Sequence, residues 1–305
     1  MSKENKIPHR FDSLSELCRM LGVPKPQHPL ITVSNNMNRS IDMSKLPSPH
    51  IKSFYKISFL KNVSGQLKYG QRYYDFEEGG MIFIAPHQVL ETHTHQSNHS
   101  GYTLLFHPDL LLNTPLANKI KQYGFFSYDV NETLHLSENE KKTIISILTV
   151  IEDELKLPID DFSQDIIISQ IELLLNYSNR FYKRQFITRK AVNSDILQKL
   201  ETYLDAYLID EQALTNGIPT VQALANIVNL SPSYLSDMLR TLIGRNAQQF
   251  IHDKLIEKAK ELLSTTNLSI SEIAYQLGFE YSQSFSRLFK TKTDLSPIEF
   301  RKSFN

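Results

Sequence analysis

Apolar and polar positions follow three different rhythms along this chain. From about residue 30 to 107 the apolar residues come in short runs, FYKISFL, QLKYGQRYYDF, MIFIA and YTLLFH. They are separated by the turn-rich stretches Asn62-Val63-Ser64-Gly65, Glu78-Gly79-Gly80 and Ser97-Asn98-His99-Ser100-Gly101. Short runs with close turns and no helical period between them predict an antiparallel sandwich or small barrel. Ahead of them, FDSLSELCRMLG reads as a helix ending at Gly22, with Pro24, Pro26 and Pro29 behind it. Residues 1–29 are thus expected to form an N-terminal arm.

The second rhythm is helical. Ser137-x-x-Glu140 is a capping box, opening a helix with Ile144, Ile147, Leu148, Ile151 and Leu155 on one face and Pro158 at its end. A second helix, 162–182, carries Ile167, Ile171, Leu174, Leu175, Phe181 and Tyr182, with Ile166, Ile168 and Leu173 spreading the apolar surface around its girth. Such a helix is buried on more than one side. One side suits the sheet; the other suits a second subunit, a DNA-binding unit or a larger core. Arg180, Lys183, Arg184, Arg189 and Lys190 then form a basic junction, either a solvated helix end and linker or a set of auxiliary phosphate contacts. A lead-in helix is expected over 194–208, followed by a polar loop over 210–217.

From residue 220 the third rhythm is a pattern written twice. TVQALANIVNLSPSYLSDMLRTLIG (220–244) and SISEIAYQLGFEYSQSFSRLFKTKTD (269–294) each hold a short apolar-periodic helix, a tight turn and a second helix with small polar and basic residues. Each copy is the sequence form of a helix-turn-helix. Thr220 and Ser231-Pro232 cap the helices of the first copy, while Asn229 and Gly244 close them. The second copy opens on the capping box Ser269-x-x-Glu272 and turns at Gly278. In the first copy Leu235, Met238, Leu239 and Leu242 are expected inside and Ser233, Ser236, Asp237 and Arg240 outside. In the second, Phe285, Leu288 and Phe289 are inside and Ser282, Gln283, Ser286 and Arg287 outside. Ala225 and Ala274 hold matching places where two helices must cross closely. A connecting helix over 247–263 is roughly 25 Å long at ~1.5 Å per residue. With the flanking units added, this places the two recognition helices on the order of 34 Å apart, one turn of B-DNA.

Composition changes this picture little. At 305 residues two domains are the default, and 41% hydrophobic with 22% charged residues describes a chain able to bury real cores. No run approaches the roughly 18 apolar residues of a membrane span. MSKENKIPHR has no apolar segment behind it, so no secretory signal is expected. The one cysteine, Cys18, excludes an intrachain disulfide and a multi-cysteine zinc site and fits a reducing, cytoplasmic interior. Net charge is +0, and from residue 220 onward ten Lys/Arg face eight Asp/Glu. Any attraction to phosphates must therefore come from local placement.

The stretch from about 220 to 303 resembles the AraC/XylS family of bacterial transcription regulators. The resemblance rests on SPSYLS, on the connecting helix ending EKAKELL, on ISEIAYQLGFEYSQSFSRLFK and on LSPIEFRKSF. It implies a bipartite helix-turn-helix domain whose two recognition helices enter successive major-groove segments. By position, Ser233, Ser236, Asp237 and Arg240 take the outward places of the first recognition helix, and Ser282, Gln283, Ser286 and Arg287 those of the second. Lys290 and the last helix, capped by Ser296-Pro297 with Glu299, take phosphate-side places. Three residues depart from the family pattern: Asp237, where a polar or basic residue is common; Lys254, where arginine is usual; and Asp294, where glycine is usual. A carboxylate at 237 is repelled by phosphates, though it can accept a hydrogen bond from the N4 amino group of cytosine.

The resemblance further implies a cupin-like ligand and dimerisation module over 30–187, with a linker and lead-in helix over 188–218 and the DNA-binding domain over 219–305. The expected fold class is α+β: an N-terminal antiparallel β sandwich or cupin-like barrel with helices, then an all-α double helix-turn-helix. His87, His93, His95, His99 and His107 fall within 21 residues. His93-x-His95 on one strand face, with His99 as a third ligand, has the form of a metal site; the turn-like THTHQSNHSG equally suits solvated loop histidines. No cofactor is expected. The expected function is a sequence-specific regulator and not an enzyme: a homodimer on promoter DNA, working with RNA polymerase under a possible small-molecule effector. The competing class is a metal-dependent cupin-type enzyme carrying a regulatory DNA-binding domain.

Overall fold

In the computed structural model the run FYKISFL becomes the middle of a five-stranded sheet. Residues 8–37, 45–64, 67–69, 72–74, 80–90, 98–129, 132–210 and 212–304 are described. Strands β1 (His9–Phe11), β2 (Ile31–Asn35), β3 (His50–Lys52), β4 (Tyr55–Ser64), β5 (Leu67–Tyr69) and β6 (Arg72–Tyr74) come first. β7 (Gly80–Ile84), β8 (Val89–Leu90), β9 (Asn98–Phe106) and β10 (Leu134–His135) follow. The large sheet has the order β10-β7-β4-β9-β2 with every neighbour antiparallel. A small sheet, β1-β3-β8, contains one parallel pair, β1 with β3, so this half is not wholly antiparallel. β5 and β6 form a separate two-stranded ribbon.

The large sheet has two unlike faces, because strand side chains alternate. Ile57, Phe59, Met81, Phe83, Leu104 and Phe106 share one face and are all buried. That face meets helical segments: Phe83 lies 4.5 Å from Phe125 between ring centroids, and Phe125 stacks on Tyr182 at 5.6 Å. The opposite face carries Lys56, Ser58, Thr103 and Leu105. Leu105 packs with Phe11, Leu14, Leu17, Leu46 and Phe54. Phe11 and helix α1 (Leu14–Leu21) are therefore part of this core, not a detached arm. Hydrogen bonds from His9 N to Pro49 O (3.1 Å) and from Ser53 N to Phe11 O (2.9 Å) fix the segment further.

Helices α2 (Leu116–Lys119), α3 (Glu138–Glu154) and α4 (Ser163–Thr188) complete the first unit. α3 starts at the expected capping box, with Ser137 accepting from Glu140 N and Ser137 N donating to Glu140. Leu155 is its C-cap and lies beyond the helix face proposed for it. α4 runs six residues past its expected end at 182, and α5 (Lys190–Ile209) begins almost at once, so the basic junction is helical. Arg184 uses its guanidinium inside the first unit: Nε and Nη2 donate to Glu140 at 3.1 and 2.7 Å, and Nη2 also donates to His135 O at 2.8 Å. It ties α4 to the start of α3 and to β10. Arg180, Lys183 and Arg189 are exposed.

By packing, the chain divides into residues 1–185 and 186–305. The second unit is all helical: α5, α6 (Gln212–Asn216), α7 (Val221–Val228), α8 (Pro232–Ile243), α9 (Ala247–Thr265), α10 (Ile270–Gln276), α11 (Ser282–Thr293) and α12 (Pro297–Lys302). The loop expected over 210–217 holds α6, and the lead-in helix belongs to this unit. The expected caps form. Thr220, Ser231, Ser269 and Ser296 each accept from a backbone N–H three residues on, and Asn229, Gly244 and Asp294 adopt left-handed conformations at helix ends. Ala225 and Ala274 are fully buried where the helices of each pair cross.

Gly278, between α10 and α11, has φ +87°, and a Cβ there would lie 2.6 Å from the Gly217 carbonyl carbon. Gly217 is itself anchored, since Tyr207 Oη of α5 donates to its carbonyl at 2.9 Å. The exit of α6 and the turn of the second helix-turn-helix thus touch backbone to backbone. Gly278→Ala combines a left-handed φ with this overlap and should destabilise the second unit by about 2–4 kcal/mol. Urea unfolding of the full chain measures it; a loss under about 0.5 kcal/mol, the scale of an ordinary surface substitution, would contradict the close approach.

Candidate nucleic-acid interface

The two second helices of the repeat, α8 and α11, carry the outward residues. On α8, Pro232 sits at the first helical position after the Ser231 cap, which pre-sets the helix start. Leu235, Met238 and Leu239 are buried as expected, while Leu242 is half-buried. Tyr234, to which the sequence pattern assigned no place, is also buried. Its ring meets Phe186 edge-on at 4.9 Å between centroids. The aromatic partner lies 48 positions earlier, beyond the reach of any local pattern. Ser233 and Ser236 are half-buried, and Arg240 is exposed.

Asp237 has a partner that changes its reading. It forms an ion pair with Arg240 one turn along the same helix. Before any DNA arrives, the only guanidinium on the outer face of α8 is directed at its own helix's carboxylate. Asp237 is therefore best described as a group that holds and partly neutralises Arg240. An exposed pair of this kind is worth little to stability, so its effect falls on charge placement.

α11 is different. Phe285 and Phe289 are fully buried and Leu288 is half-buried. Gln283 and Arg287, four residues apart and hence on one face, are exposed, as is Lys290 one turn further on. Among the described residues none of these three forms an ion pair or a side-chain hydrogen bond within the protein. Ser282 and Ser286 are half-buried beside them. Exposed Gln and Arg side chains with unspent donors match the two residue types that make bidentate contacts to adenine and guanine edges.

The positions that depart from the family pattern also resolve. Lys254 on α9 points to the protein: Nζ lies 3.5 Å from Asp205 of α5 and 3.3 Å from Glu257. Partial burial opposes its charge, but the hydrogen bond to Glu257 and the charges of Asp205, Glu257 and Glu201 outweigh this and raise its pKa. Asp294 takes φ +62° as the C-cap of α11, a conformation Asp tolerates, and its N–H returns to Lys290 O. α12 is capped by Ser296, whose N–H and hydroxyl hold Glu299 and lower its pKa.

His93 and His95 lie outside the described residues. His99 is on β9, but its side chain is likewise outside them. His87 is exposed with φ +66°, and His107 Nδ1 accepts from Asp109 N at 3.2 Å to cap a short 3-10 turn.

Two family models match the chain. Residues 224–303 match a helix-turn-helix domain, and residues 43–146 match an AraC-like ligand binding domain; together they take in more than half the chain. An uncharacterized HTH-type transcriptional regulator of Bacillus subtilis (strain 168), YfiF, is 26% identical over 271 residues, 84% of this chain and 79% of its own. The arabinose operon regulatory protein of Escherichia coli (strain K12) is 39% identical over 95 residues, 31% of this chain and 32% of its own. Among solved structures, the C-terminal domain of AraT, a response regulator from Geobacillus stearothermophilus, is 30% identical with a TM-score of 0.31, covering 35% of this chain and 84% of that one.

Replacing the α8 carboxylate separates the two roles open to it. Asp237→Asn frees Arg240 and removes a charge that phosphates repel, so binding to duplex DNA should tighten by roughly three- to tenfold and its salt slope steepen by about 0.9. Weaker binding with an altered base preference would make Asp237 a base reader instead. Fluorescence anisotropy across a salt series decides between them.

Proposed function

We propose that this chain, which belongs to the AraC-type transcriptional regulators, reads double-stranded promoter DNA asymmetrically, with α11 discriminating bases and α8 mainly fixing position. The observation that carries this is the contrast in outward chemistry. Gln283 and Arg287 are exposed and unspent on α11, whereas the arginine of α8 is held by Asp237. Ser233, Ser236 and Arg240 then contribute to placement, and Ser282, Ser286 and Lys290 support α11 with short polar and phosphate contacts. α9, at 19 residues, is roughly 28 Å long. That length suits two recognition helices set about one duplex turn, ~34 Å, apart.

The first unit adds control, on this reading, as an effector-binding and dimerisation module that biases promoter placement or contact with RNA polymerase. Homodimerisation has a specific support. Ile166, Ser169, Leu173, Asn176 and Arg180 are all exposed on α4 at alternating spacings of three and four, and Phe162, in the turn just ahead of the helix, is 69% exposed. This is the seam pattern by which one helix packs along another. A regulatory rather than catalytic role is supported by relatives that are transcriptional regulators. Among the described residues no helix is long and apolar enough to cross a membrane.

Arg287→Ala should lose about 1–3 kcal/mol of discrimination at one base pair, read by selecting bound duplexes from a random pool with parent and variant. An unchanged selected motif would remove α11 from the reading role. For the dimer, Ile166→Glu with Leu173→Glu places charges in the α4 seam and should convert the protein to a monomer by light scattering on the eluting peak. A dimer that survives both changes must use another face.

A further inference from the structure

The face of the large sheet turned away from the helices mixes apolar residues with polar ones, and it is covered. On β4 it presents Lys56 and Ser58; across the register these meet Leu105 and Thr103 of β9 and Ile84 and Ile82 of β7. Ser58 is fully buried, and its hydroxyl lies 3.0 Å from that of Thr103. From the small sheet, Lys52 of β3 is only 3% exposed. Lys56 is half-buried.

Neither lysine has an ion pair or a side-chain hydrogen bond among the described residues, and no carboxylate acts on either. Burial pushes Lys56 down to about 8; burial and then the charge of Lys56 hold Lys52 well below the usual lysine range. His50, on the same face of β3, is lowered to about 4 by burial, with both lysine charges among the further causes. These groups share one electrostatic neighbourhood. Asp12, which follows β1, is committed elsewhere, to Ser53 and Arg10.

Lysine is almost never buried without a partner, because an ammonium group removed from water and left unpaired is strongly disfavoured. A fully buried lysine, with a half-buried second one close enough to act on its charge, in the half of the chain that matches a ligand-binding domain, calls for an anion from outside the chain. We propose that Lys52 and Lys56 form the recognition end of a ligand site in the first unit, and that its ligand is a small organic anion bearing a carboxylate or phosphate group. Ser58 and Thr103, one register pair along the same face, offer hydroxyls to the remainder of that molecule. The assignment rests on the reading of the first unit as an effector-binding module and names the effector's chemical class.

The test is thermal unfolding of the full chain with citrate, glucose 6-phosphate, inorganic phosphate or glucose in the millimolar range. At least one anion should raise Tm while glucose does not; citrate marks a carboxylate ligand, and either phosphate probe marks a phosphate group. Lys52→Met and Lys56→Met should abolish that shift. Without any added anion neither substitution should lower Tm, because each replaces an amine that has no partner in the protein. The proposal is overturned if glucose stabilises as well as the anions, if no anion stabilises, if the variants keep the shift, or if both variants lower Tm in plain buffer. Duplex selection run on both variants without anion should match the parent. Failure of the anion arm alone leaves the promoter-reading proposal standing, whereas failure of the parent to select any duplex removes that proposal instead.

Discussion

Everything the second unit can do with DNA depends on α9 being one rigid rod with a broad buried face. Its buried residues, Ala247, Phe250, Ile251, Leu255, Ile256, Ala259, Leu262 and Leu263, serve α5, α7, α8, α10, α11 and α12 together. A capping box at Asn246 and Gln249 fixes its start. Polar ties then set its rotation: Lys254 to Asp205, Asp253 to Lys292 of α11 at 2.6 Å, and the Leu263 carbonyl accepting from Arg301 of α12 at 3.4 Å. A helix held on so many sides cannot shift toward one recognition helix without breaking its contacts with the other. Close packing makes such interiors resist small displacements, so the spacing of α8 and α11 is fixed within the unit before any ligand is met.

Within that fixed frame the two copies of the repeat have diverged in chemistry and not in architecture. Both use a buried alanine at the helix crossing and both cap their first helix with a hydroxyl residue. On α11 the hydrogen-bonding capacity of Gln283 and Arg287 is left unspent, whereas on α8 Asp237 takes up Arg240. Unspent donors at a fixed position can be strongly selective, because a mismatched base leaves them unsatisfied after they have lost water. An arginine already paired must exchange one partner for another, and the gain is correspondingly smaller. The near-neutral charge of the chain is consistent with this division: attraction is local, and so is discrimination.

The parts of the structure legible in the sequence are those written by local chemistry. Ser231-Pro232, Ser269 with Glu272, Ser296 with Glu299 and Ser137 with Glu140 announce helix starts because the capping atoms lie within four residues of each other. Asn229, Gly244 and Asp294 announce helix ends for the same reason. What was not legible depends on distant partners. β1, β3 and β8 have two or three residues each and no alternation to read; they exist because His9, His50 and Leu90 meet across the fold. The stretch 180–190 reads as a linker because its charges are dense, but Arg184 has Glu140 to bind, α4 runs on to Thr188 and α5 begins at Lys190. Burial of Tyr234 needed Phe186, and capping of Gly217 by Tyr207 turned an expected loop into a helix end packed on Gly278.

Lys56 shows where period-two reading stops. In Tyr55-Lys56-Ile57-Ser58-Phe59 the alternation separates the faces correctly, and the usual inference is that the polar face is wet. Here the face of Ile57 and Phe59 lies under helical segments, while the face of Lys56 and Ser58 also carries Leu105, which packs in a core with Phe11 and Phe54. A sheet covered on both sides normally has two apolar faces. The second face here keeps Lys56 and Ser58 among Leu60, Ile84 and Leu105; hydrophobic burial does not explain the lysine, and neither do internal ion pairs, since Lys52 and Lys56 have none among the described residues. On the proposed ligand site, an anion that neutralises Lys52 and Lys56 raises the stability of the unit by ordinary mass action. A module stabilised by its ligand is also one whose state reports the concentration of that ligand, which is what the proposed effector control requires.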